Sequence, residues 1–90
     1  MNALATVKQA KRIKHTSLDE EIERHIVTAK AELIRAGADE SVVNAGGSLV
    51  EEAVVTYCLM KLEDDLKLIE KYEDSFRIQS DQIRRSSNVQ

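Results

Sequence analysis

Apolar residues recur along this chain at helical rather than alternating spacing. Leu4, Val7 and Ile13 form one narrow stripe and predict a short first helix over about residues 3–12. Ile22, Ile26, Ala29 and Leu33 follow at spacings of four, three and four, the face of an amphipathic second helix beginning at about Leu18. Ser17 with Glu20 has the form of a capping box, in which the hydroxyl takes an orphan amide and the carboxylate reaches back. Gly37 stands where a left-handed residue would close that helix.

Residues 38–47 predict a connector with a turn of helix around Glu40 to Asn44, and Gly46-Gly47 break the pattern after it. Ser48 with Glu51 repeats the capping-box spacing and opens a third helix through Leu62. Its stretch from Ala53 to Met60 is apolar almost all round, as expected of a helix buried at the centre of the fold. Glu63-Asp64-Asp65 then offer acids to the start of a fourth, long helix over about 65–84, whose stripe is Ile69, Tyr72, Phe76 and Ile83. Gln79 interrupts that stripe and the repeat spans too few heptads for a coiled coil, so packing onto the body is expected. The polar end 86–90 lacks periodicity and is expected to be a flexible tail beyond a single domain of residues 1–85. The fold class is therefore all-α: a small bundle of about four helices, with a central buried third helix and a long C-terminal one.

Composition sharpens this picture. Proline is absent and glycine occurs three times in 90 residues, which suits long helices better than a turn-rich β fold. With two Tyr, one Phe and no Trp, the core rests on small aliphatic side chains and is thin, so burial between subunits would add to stability. The single Cys58 has no partner for an intramolecular disulfide and reads as a small core hydrophobe. No apolar stretch approaches the ~20 residues that span a bilayer, and a soluble protein made inside the cell is expected, without a membrane partner.

Charge is polarised along the chain. Residues 1–15 carry Lys8, Lys11, Arg12 and Lys14 with no acid, residues 16–76 hold fifteen acids against six bases, and beyond them Arg77, Arg84 and Arg85 face only Asp81. Basic ends on an acidic body permit head-to-tail attraction between copies. No reaction is written in the sequence. Glu21 and His25 are four apart but lack the second histidine or repeated Glu-x-x-His of a helical metal site. His15 lies by a loop and reads as a solvent-facing or capping residue. The acidic runs 19–23 and 63–65 point around their helices rather than into one cleft. A helix-turn-helix reading fails, because the would-be recognition helix opens with Glu51 and Glu52 and offers only Lys61 as a base. The expectation is a protein without catalytic residues, cofactor or metal.

Taken in order, these motifs resemble the head-to-tail connector, or adaptor, family of tailed phages. Leu4-Ala-Thr-Val7-Lys8 with Arg12-Ile13-Lys14-His15 is similar to the family's opening helix and following loop, and Asp19-Glu20-Glu21-Ile22 to Ala36-Gly37 is similar to its acidic-capped second helix. Leu49-Val50-Glu51-Glu52-Ala53-Val54 with Tyr57 resembles the buried third helix, and Glu70-Lys71-Tyr72-Glu73-Asp74-Ser75-Phe76 the start of the last. The likeness covers about residues 3–84.

The resemblance implies a structural virion protein of the neck, made in the host cytoplasm, that forms a ring of about twelve copies by analogy with the family. That ring would sit under the portal protein, lengthen the DNA channel, and present a platform to the next connector, a stopper or the tail, with phage DNA passing through unbound. It also implies portal docking through the C-terminal region, here Ile83, Arg84, Arg85, Asn88 and Val89. Lys8, Lys11 and Arg12 are the expected contacts to the acidic body of a neighbouring subunit. A second reading stands beside it: a small dimeric helical interaction or regulatory protein, with the last helix as dimer element and weak nucleic-acid contact through Lys8 to Lys14.

Overall fold

A computed structural model describes residues 2–88, all of whose regular structure is helical: α1 (Ala3–Ala10), α2 (Asp19–Arg35), α3 (Glu40–Ala45), α4 (Ser48–Leu62) and α5 (Leu66–Asn88). There are thus five helices where the sequence predicts about four, because the connector turn closes into the short α3. Asp39 caps it, its carboxylate accepting the Ser41 amide at 2.8 Å.

The ends of the helices follow from local chemistry, not always that of the predicted motif. Asn2 caps α1, its side-chain oxygen accepting the Leu4 amide at 2.9 Å. Ile13 N–H donates to the Lys8 carbonyl and Arg12 N–H to that of Gln9, a Schellman closure that puts Arg12 in the left-handed region at φ 57°. The helix therefore stops at Ala10, two residues short of the predicted end. The same closure ends α2, where Gly37 at φ 112° supplies the left-handed residue and Ala38 N–H donates to the Leu33 carbonyl. Asp65 opens α5, accepting the amides of Lys67 at 2.9 Å and Leu68 at 3.4 Å.

Neither predicted capping box forms. At α2 the cap position falls on Leu18, which leaves Ser17 one residue too early to reach the helix amides; its own N–H donates to His15 Nδ1 at 3.3 Å. At α4, Gly47 takes the cap position, so Ser48 is already the first helical residue and the register of the box with Glu51 is lost.

The core is organised on α4, which packs against α1, α2 and α5. Val50, Ala53, Val54, Tyr57 and Cys58 are its buried residues, a stripe at three- and four-residue spacing within a helix apolar on most sides. Val7 from α1, Ile22, Ala29 and Leu33 from α2, Ala38 from the α2–α3 link, Val43 from α3 and Ile83 from α5 complete the cluster. Each fully buried Ile, Leu or Val contributes about 1.5–3 kcal/mol through area withdrawn from water. Tyr57 and Phe76 add a tilted ring pair, centroids 5.2 Å apart, that fixes the register of α5 on α4.

Contacts along α4 give the direction of its neighbours. Ala3 lies by Val50 and Glu51 near the start of α4, whereas Lys11 Nζ reaches Glu63 Oε1 beyond its end at 3.2 Å, so α1 runs parallel to α4. The three-residue link to α5 sends that helix back antiparallel. At 23 residues α5 is about 34 Å long, and its far end overhangs the close of α2. It also runs past the predicted end at 84 into the stretch expected to be a tail: Ser86, Ser87 and Asn88 are helical. Val89 and Gln90 lie outside the described residues.

Candidate functional site

Three surfaces carry the charged residues singled out in the sequence. The first is the C-terminal end of α1. Lys8 Nζ lies 2.8 Å from Asp19 Oδ1 and Lys11 Nζ 3.2 Å from Glu63 Oε1, so two of the three cations expected to meet a neighbouring subunit are each paired with an acid of their own chain. These pairs tie α1 to the start of α2 and to the α4–α5 link. Glu63 also accepts the amides of Asp64 and Asp65, both at 3.2 Å. The Asp65 amide and then Lys11 hold its carboxyl below the usual range. Arg12 is exposed at the left-handed corner and makes no ion pair among the described residues.

The second surface is the far end of α5. Of the predicted docking residues, Ile83 is not available: it is 1% exposed and belongs to the core. Its position seven residues after Phe76 continues the buried stripe, which outweighs its nearness to the chain end. Arg84 and Arg85 are exposed and share Asp81, Arg85 at 2.8 Å. Arg84's hydrogen bond, reinforced by the charge of both guanidinium groups, lowers the Asp81 carboxyl. The Arg84 stem crosses Gly37 so closely that a Cβ there would stand 2.8 Å from Arg84 Cδ. Asn88 ends the described helix and Val89 lies beyond it.

The third surface was not foreseen. At the start of α4 a cleft of about 720 Å³ opens between α1, the double-glycine turn and α5, with Thr6, Gly46, Gly47, Glu51, Glu52 and Gln79 among its lining. Glu51 Oε1 and Gln79 Oε1 are both buried there without a hydrogen-bond donor among the described residues. The hydroxyls of Thr6 and Thr56 on its wall donate to backbone carbonyls of their own helices and have no proton to spare for these oxygens. The glycine pair was the visible hint, since it holds the backbone bare of side chains on one wall.

Cys58 is buried and free, and burial, with a smaller contribution from the Glu23 charge, pushes its thiol up to about 11, far from a reactive thiolate. His25 Nε2 stands 3.4 Å from Glu21 Oε2 one turn away. Among the described residues no group of three or more His, Cys, Asp or Glu side chains is placed to hold a metal ion, and no helix is long and apolar enough to cross a membrane. No protein-family model matches the chain, and neither a curated protein sequence nor a solved structure matches it significantly.

Proposed function

We propose that this chain is a subunit of a self-assembling ring, the head-to-tail connector of a tailed phage, seated beneath the portal protein and carrying the next connector, stopper or tail component. The observation that carries the reading is the separation of unlike surfaces along one small helical body: an exposed cation at the end of α1, and an acid-lined cleft with unmet acceptors at the start of α4. A surface that complements a different surface of the same molecule, rather than itself, builds rings or filaments by head-to-tail contact. In this reading α1, α2, α4 and α5 form the four-helix body and α3 is its connector turn. The acidic body keeps phage DNA moving through the channel, because carboxylates cannot release counterions from phosphate. Docking to the portal falls to Arg84 and Arg85 with Asn88 and Val89; Ile83 supports that end from within.

The alternative, a dimeric regulatory protein touching nucleic acid through Lys8 to Lys14, draws less support, because Lys8 and Lys11 are already neutralised by Asp19 and Glu63. Light scattering with negative-stain imaging, on the chain alone and mixed with a portal ring, separates the two. Rings, or monomers recruited onto the portal, are expected. A stable dimer that ignores the portal and binds DNA with steep salt dependence would replace the connector reading with the regulatory one.

A further inference from the structure

We propose that the cleft at the start of α4 is a socket for the Arg12 guanidinium of a second copy of this chain. The proposal rests on the self-assembling reading and names the contact that makes it. On the socket side, two helices bring buried acceptors to one place: Glu51 Oε1 from α4 and Gln79 Oε1 from α5, neither met by a donor among the described residues. Leaving such groups unmet is costly, and a donor arriving from outside recovers that cost. Both residues line the cleft, and the terminal torsions of Glu and Gln are broad, so a small turn presents both oxygens to an incoming group.

The occupant is cationic and forked. Glu51 and Glu52 place two carboxylates at the cleft, against which the positive end of α4 sets only about half a unit charge. A guanidinium carries five N–H donors in a rigid plane and can serve acceptors on two helices at once, which an ammonium does less well.

Arg12 is the cation that its backbone singles out. It is exposed, makes no ion pair among the described residues, and is the one non-glycine described residue with positive φ. An arginine is a poor choice for left-handed backbone, and a side chain kept there at that cost is one whose head group has work to do. Within one copy the two features belong to opposite ends of α4. Lys11, beside Arg12, reaches Glu63 past the end of α4, whereas the cleft opens by Thr6, about 9 Å back along α1 and toward the first turn of α4. The contact therefore runs from one copy to the next, head to tail.

Charge-swap complementation tests it, read by sedimentation velocity on the full chain at graded concentration, with circular dichroism confirming the fold. Arg12→Glu alone and Glu51→Arg alone are each expected to weaken self-association by about thirtyfold or more, as does loss of one partner from a buried charged hydrogen bond. Mixed one to one they should reassemble, because each copy then meets the opposite charge at both ends. Arg12→Lys should recover only part of the wild-type affinity. If wild-type chains form rings and Arg12→Glu forms them equally well, or if the mixture fails to reassemble, the socket is wrong and the ring reading survives. If wild-type chains remain monomeric at every concentration and on the portal, the ring reading falls and takes the socket with it.

Discussion

Replacing Arg12 by glycine should stabilise the folded monomer, and replacing it by alanine should not. The φ of 57° places a Cβ-bearing residue in the left-handed region, which costs an L-amino acid about 1–2 kcal/mol. Glycine escapes that cost but gives up about 0.5–1 kcal/mol more chain entropy on folding, leaving a net gain of about 0.5–1 kcal/mol. For a chain of this length that is an increase in Tm of about 2–8 °C. Alanine keeps the strain and removes only an exposed side chain, so its effect stays within about 0.5 kcal/mol. Urea unfolding of dilute samples, with the slope m unchanged across the three proteins, isolates the backbone term as the difference between the glycine and alanine midpoints. Equal midpoints, or a lower one for glycine, would refute the assignment of strain to this corner. The same glycine variant should lose self-association, so that the more stable chain is the poorer assembler.

Cys58 should resist a thiol reagent at pH 8 in the native protein and react fully in denaturant, at a native rate that tracks unfolding; rapid native labelling would show that the α4 core is open. Substituting Asp65→Ala removes the cap of α5 and should cost about 1 kcal/mol, or a Tm lower by about 4–8 °C. The depressed carboxyls of Glu63, Asp39 and Asp81 add stability that is present above the ordinary carboxylate range and is lost as pH falls through their lowered values. Stability should therefore be level near neutrality and decline below about pH 4. Glu63→Gln should flatten part of that decline; an unchanged acid profile in thermal melts would show that Lys11 and the Asp64 and Asp65 amides do not favour its charged form.

What could be read from the sequence was the chemistry that acts within a turn or two. Gly37 announced its helix end because few other residues accept that backbone, and the acids at 63–65 announced a helix start, which Asp65 caps because its carboxylate needs only the next amides. Ser17 and Ser48 misled because a capping box requires a register the residues alone do not set: Leu18 and Gly47 took the cap positions. Ile83 misled by its place near the chain end, although its spacing from Phe76 already marked it as core. Arg12's left-handed backbone had no compositional sign, since arginine is not a residue that seeks it. Of the cleft only the bare glycine wall could be read, because Thr6, Glu51 and Gln79 are brought together only once three helices have packed.

The position of α4 at the centre also governs the order in which the chain can fold as it is made. Val7, Ile22 and Leu33 bury themselves in a core whose central helix begins at Ser48, so α1 and α2, which are made before it, complete their burial only when α4 arrives. At ordinary rates of synthesis, completing α4 takes about 3–11 s after Val7 is added, during which these faces have only one another and α3 to meet. The α4–α5 pair, joined by three residues, forms by local contacts once present. Docking thus proceeds backwards relative to synthesis, and the N-terminal half is the part of the nascent chain that most needs shielding by a chaperone.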